Sequence, residues 1–104
     1  MLGELEQIVL LAVLRVGAQA YGVAIAHEIQ RQTRRELTLA TVYKTLSRLE
    51  EKGLVASTLG DSTPERGGRR KRYYSVTSPG RRSLRAALTT LGRLATGLDL
   101  GWEA

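Results

Sequence analysis

Between Arg66 and Arg85 the chain carries eight basic side chains and no acid: Arg66, Arg69, Arg70, Lys71, Arg72, Arg81, Arg82 and Arg85. Residues of this type, so spaced, do one kind of chemistry well, which is to attract a polyanion. The bland alternative is solubility charge at a turn, but a cluster without one acid is hard to explain by solvation alone. The imbalance is local. Residues 1–52 carry a net +1 and residues 53–104 a net +5, giving +6 over 104 residues. A second polar set, Thr41, Lys44, Thr45, Arg48 and Lys52, recurs at helical spacing opposite an apolar one, Leu39, Val42, Leu46 and Leu49. That face is either solvated or aimed at a partner.

Other chemistries find little material. The sequence has no Cys, which excludes a disulfide scaffold, a thiol nucleophile and thiolate-held metals. The single His, His27, lacks both metal-ligand partners and a nucleophile to serve, so it reads as a helix-surface imidazole. No Ser/His/Asp arrangement is present. Gly67-Gly68 is a turn and not a P-loop, which would need a Lys-Ser/Thr pair opening a helix. The expectation is therefore no enzyme, no cofactor and no metal. The longest apolar run, Ile8 to Leu14, is seven residues and cannot span a bilayer. The acidic opening Met1-Leu2-Gly3-Glu4-Leu5-Glu6 lacks a signal peptide's basic stretch. A cytoplasmic protein without a membrane partner is expected.

The elements that must position the two basic sets follow from periodicity. At 42% apolar and 25% charged the composition is globular, and with seventeen Leu and no Phe the core must be aliphatic. Leu5 to Val16 predicts a first helix with a wide stripe of Leu5, Ile8, Val9, Ala12, Val13 and Val16. Leu10, Leu11 and Leu14 add a second apolar side, for which cover from another chain is expected. Gly22 to Arg35 predicts a second helix with Val23, Ile25, Ala26 and Ile29 inward. Leu37 to Leu39 reads as a one-rung strand, with Thr38 capping a third helix that ends at Gly53. Leu54–Leu59 and Arg72–Val76 alternate and predict a hairpin, joined by turn chemistry over Gly60–Gly68. A last helix starts at Thr77 or Ser78 with Pro79 in its first turn. Along it Leu84, Leu88, Leu91, Ala95, Leu98 and Trp102 step as a heptad seam.

Helix, helix, short strand, helix, hairpin, helix is a winged helix-turn-helix, a mainly α (α+β) fold. A helix of about 10–12 Å diameter fits the major groove, and a basic hairpin can lie along phosphates. The boundaries expected are residues 1–77 for a DNA-binding domain and 78–104 for a C-terminal dimerisation helix.

The stretch from Ala40 to Val55, ATVYKTLSRLEEKGLV, resembles the recognition helix of PadR-like transcriptional regulators. Tyr21-Gly22 upstream and Arg72 to Arg81 downstream, RYYSVTSPGR, are similar to the same family's blocks in the same order. The resemblance covers nearly the whole chain and is to the subgroup with one C-terminal helix. Two residues depart from the family's pattern. Ala40 stands where Gly is common, and Lys44 where Pro is common, and a Lys favours DNA contact more than Pro would.

The resemblance implies a bacterial or archaeal DNA-binding repressor. It implies a homodimer in which the C-terminal helix packs on the partner's C-terminal and N-terminal helices. It places Thr41, Tyr43 and Lys44 at the DNA face with Arg48 nearby, and the wing, with Arg69, Arg70 and Lys71, on the backbone. It also implies control by a small aromatic or drug-like effector near the dimer interface. Leu84, Leu88, Leu91 and Leu98 are the dimerisation candidates. Trp102 is either a ligand-stacking ring or a frayed end, and Tyr43 is either a DNA contact or rim packing. The rival functions are a winged-helix adaptor for proteins and a non-specific nucleic-acid binder, against which the scarcity of stacking aromatics counts.

Overall fold

The computed structural model describes residues 2–60 and 70–101. Among the described residues, four α-helices, two strands and one short 3-10 turn are built as follows.

α1 spans Glu4–Val16. Its first turn is acidic, which suits the positive end of a helix. Glu6 folds back and accepts the Gly3 N–H at 2.9 Å. The same carboxylate takes the Lys52 ammonium at 2.6 Å, tying the start of α1 to the end of α3. Burial pushes the Glu6 carboxyl up, but the Lys52 hydrogen bond, the Gly3 N–H and the Lys52 and Arg48 charges together hold it below the usual range. A single 3-10 turn, Gly17–Gln19, leads to α2, Gly22–Thr33. α2 ends two residues sooner than its periodicity predicts, because Arg34 adopts a left-handed conformation (φ 59°).

α3 spans Leu39–Glu51 and is capped by Thr38, whose hydroxyl accepts the Thr41 N–H at 3.1 Å. The strands β1, Val55–Leu59, and β2, Arg72–Val76, pair antiparallel with Val55 opposite Val76 and Leu59 opposite Arg72. The loop expected over Gly60–Gly68 falls almost wholly outside the described residues, as do Arg69 and Trp102. α4, Ser78–Ala95, starts at Thr77, whose hydroxyl accepts the Gly80 N–H at 3.1 Å.

The core sits where the three helices of the helix-turn-helix converge under the hairpin. Val9, Leu10 and Val13 of α1 join Ile25 and Ile29 of α2 and Val42, Leu46 and Leu49 of α3. Leu54, Val55 and Tyr74 close it from the hairpin and Leu84 from α4. The fold is the mainly helical winged arrangement with a two-stranded sheet.

Several expectations are corrected. Leu37 to Leu39 forms no strand: the segment leads straight into the α3 cap, Leu37 packs on the core, and the backbone pairing outside the hairpin comes from Ala20, whose carbonyl accepts the Tyr74 N–H at 2.8 Å. Val23 is half exposed, not inward, because it lies beside the Ile25/Ile29 stripe that faces α1. On the second apolar side of α1, Leu10 is fully buried within the chain, Leu14 is half-buried and Leu11 is 38% exposed. The last helix stops at Ala95. Thr96 turns extended, its hydroxyl donates to the Gly92 carbonyl at 2.6 Å, and Gly97 takes φ +83°, which a side chain would resist. Leu98 therefore lies beyond the helix, and the heptad seam does not continue to it.

α4 is the least embedded element. Its 18 residues extend about 27 Å, and only Gly80 and Leu84 are buried. The radius of gyration is 15.4 Å, against about 13 Å for a compact chain of this length.

Candidate nucleic-acid interface

α3 presents two faces because its apolar side chains recur at helical period. Val42, Leu46 and Leu49 are fully buried and fix the helix in rotation, whereas Leu39, expected on the same stripe, is 43% exposed at the helix start. That leaves Ala40, Tyr43, Lys44, Ser47 and Arg48 exposed and Thr41 half-buried. Ser47 belongs to this face although its type drew no attention in the sequence. Thr45 and Lys52, expected beside Lys44 and Arg48, are not free members of it. Thr45 is buried with its hydroxyl donated to the Thr41 carbonyl at 2.8 Å, and Lys52 is engaged by Glu6.

Thr41 sits in the first turn, its hydroxyl accepting from Thr38 at 2.9 Å. Tyr43 is 42% exposed and its hydroxyl end rests directly over Gly22. A Cβ on Gly22 would overlap the ring, so the Tyr21-Gly22 pair exists to let α3 approach α2 this closely. Tyr43 is thus rim packing on one side and open on the other.

The wing is held to the same end of α2. Tyr73 of β2 meets Tyr21 edge to face, with centroids 6.0 Å apart and planes at 80°. Lys71 lies just before β2, its ammonium 4.2 Å from the centre of the Tyr21 ring. Arg70 donates to the Gly60 carbonyl at 3.0 Å. Arg72 donates to the Ser57 hydroxyl at 3.0 Å, and that hydroxyl donates to Glu50 at 2.7 Å, so one wing cation is tied back to α3. The aromatic contact escaped sequence reasoning because Tyr21 and Tyr73 lie on separate elements. The only signal was the coincidence of Tyr21-Gly22 with Arg72-Tyr73-Tyr74.

Of the dimerisation candidates, Leu84 is buried in the chain's own core and Leu88, Leu91 and Leu98 are exposed, Leu91 to 56%. Leu94, at 71%, is a further exposed leucine on α4. His27 is exposed. Among the described residues no group of acids and His could hold a metal ion, and no helix is long and apolar enough to cross a membrane.

Comparison with known proteins agrees with this geometry. Residues 10–86 match the Transcriptional regulator PadR-like family. An uncharacterised protein of Lysinibacillus sphaericus is 32% identical over 103 residues, covering 97% of this chain and 90% of that one. Among solved structures, a PadR family transcriptional regulator from Eggerthella lenta superposes with a TM-score of 0.70 at 28% identity, over 90% of this chain and 81% of the other. A transcriptional regulator from Clostridium thermocellum shares the fold, with a TM-score of 0.71 at 24% identity over 86% and 84% of the two chains. The matched span runs from α1 through the helix-turn-helix and wing into α4, and on that ground the chain belongs to the PadR-like family of transcriptional regulators and is not an enzyme.

Proposed function

We propose that the protein is a sequence-specific DNA-binding repressor that acts in the cytoplasm as a homodimer, with residues 1–77 reading DNA and 78–104 joining the two copies. One observation carries the DNA reading. Tyr43 of the exposed α3 face and Lys71 and Tyr73 of the wing all converge on Tyr21-Gly22 at the start of α2. The polar helix face and the basic hairpin therefore adjoin and can engage one duplex together. In this reading Thr41 and Lys44 reach base edges, Tyr43 and Arg48 flank them, and Arg69, Arg70 and Lys71 neutralise phosphates.

The support for a second copy is the outer part of α4. Leu88, Leu91 and Leu94 stand exposed on a helix that the body of the chain covers only at its start. Leu84 anchors that helix to its own core. Two-fold pairing of α4 would set the two α3 helices about 34 Å apart, or a multiple of it, to meet successive half-sites. An aromatic effector at that seam would release DNA only by binding one separation of the α3 helices better than another. Trp102 fluorescence quenched saturably by planar aromatics, with loss of DNA binding, would support such control.

The test is fluorescence anisotropy on the intergenic DNA beside the protein's own gene, over a range of salt. Tight binding that falls steeply with salt and prefers this DNA over a scrambled duplex is expected. Absence of binding would favour the adaptor reading. Binding with no preference between duplexes would favour the non-specific one.

A further inference from the structure

We propose that Tyr21 is a positioning residue for Lys71: its ring holds the ammonium at the junction of α2 and the wing and makes it a fixed phosphate contact. The inference rests on the DNA reading above, which gives the ammonium its phosphate.

The three described cations of the wing are held in three different ways. Arg70 is bonded to a backbone carbonyl of Gly60. Arg72 is bonded to Ser57, which is itself bonded to the Glu50 carboxylate, so an opposing charge stands one hydroxyl away. Lys71 lies 4.2 Å from the centre of the Tyr21 ring, well inside the range at which the ring's negative face attracts a cation. The difference matters for binding an anion. A carboxylate partner orients a cation by neutralising it, and that partner must be displaced before a phosphate can enter. A ring face orients the ammonium and leaves its full charge, with donors remaining for a phosphate.

The backbone around the contact is fixed from both sides. The Lys71 carbonyl accepts the Gly60 N–H at 2.7 Å, and the Tyr74 N–H donates to Ala20, the residue before Tyr21, at 2.8 Å. Tyr73 stands edge to face against Tyr21 and covers Gly60, where a Cβ would overlap its ring. Tyr21 is therefore held against the strand that follows Lys71. Its neighbour Gly22 lies under Tyr43 of α3, so the held ammonium stands one residue from the helix face proposed to read bases.

Two measurements on the full chain test this. In NMR spectra of the DNA-free protein, the terminal methylene protons of Lys71 should be shifted upfield by the Tyr21 ring in the wild type and in Tyr21→Phe, and return to ordinary positions in Tyr21→Leu. In anisotropy titrations across salt, Lys71→Ala should flatten the slope of log K against log salt by about 0.9. Tyr21→Leu should weaken binding about three-fold, Tyr21→Phe should restore it, and Tyr21→Leu with Lys71→Ala should bind no more weakly than Lys71→Ala alone. A merely structural Tyr21 would give losses that multiply in the double variant. That result, or Lys71 methylenes at ordinary positions in the wild type, overturns the proposal. A wild type that binds no DNA overturns the DNA reading and the phosphate role with it, while the methylene shift still decides whether the ring holds the cation.

Discussion

α3 and α4 are both amphipathic, and they use the property in opposite ways. Every fully apolar step of the α3 stripe from Val42 to Leu49 is covered by the chain itself, and the polar face is left outside. α4 is covered only around Leu84, and leucines are what it leaves outside. The first helix is finished as a packing element and offers a surface for recognition. The second is left uncovered over its outer part, and that part is where the proposed dimer would form. A hydrophobic repeat shows that a face will be buried. It does not show which chain will bury it.

The sharpest way to break this contrast is Leu91→Glu. In the proposed dimer two copies of this leucine are buried, at roughly 1.5–3 kcal/mol each, so about 3–6 kcal/mol of association should vanish. Analytical ultracentrifugation should show a folded monomer, and a wild type that is itself monomeric at tens of micromolar would end the dimer reading. Leu46→Ala attacks the other side of the comparison. Removing a fully buried leucine should cost about 2–5 kcal/mol of stability in denaturant melts, whereas Leu94→Ala, on the exposed part of α4, should leave a monomeric chain within about 0.5 kcal/mol of wild type.

Lys44→Ala should leave folding unchanged and cost roughly 1–3 kcal/mol of discrimination at one base position, read by binding to a panel of single-substituted duplexes. If Arg70→Ala altered the preferred sequence and left the salt slope alone, the division between reading and phosphate binding would be misassigned.

The smallest effect concerns the tie between α1 and α3. The Glu6 carboxyl is held below its ordinary value of 4.5 in the folded chain. Its contribution is therefore present above the unfolded value and is lost as pH falls through the lower folded value. Wild type should lose stability faster than Glu6→Gln in acid melts below about pH 4.5, by no more than about 1 kcal/mol, because Lys52 is half exposed. Equal acid sensitivity of the two would show that the pair contributes nothing.

The parts of the fold governed by one element at a time were legible in the sequence. The Val42/Leu46/Leu49 stripe, the Thr38 cap and the two strands follow from spacing and side-chain chemistry within a few residues. Thr45 did not, because its polarity argues for exposure while its hydroxyl is satisfied locally by the Thr41 carbonyl. Lys52 is the same case across elements, since its partner Glu6 lies 46 residues away in the sequence. The end of α4 does not follow from the sequence pattern, because a leucine spacing that fits a heptad carries no information about Gly97 turning the backbone. Of the candidate site, residue types and the α3 face could be read. The convergence of Tyr21, Lys71 and Tyr73 could not, since it depends on how the wing folds back over α2.

The missing side chain at Gly22 has a consequence for how such a regulator can be retuned. With a tyrosine ring lying on a bare backbone, the distance between α2 and α3 is set by hard contact and has no slack in the closing direction. Larger residues at Gly22 would push α3 outward and, in the proposed DNA reading, change every recognition contact at once. Ala40, Lys44, Ser47 and Arg48 are exposed, so exchanges there should leave the packing of α3 in place. If α3 reads DNA as proposed, new operators are reachable through its exposed letters with the docking of the helix held constant, and Gly22 is the position where a single change would shift the whole reading head.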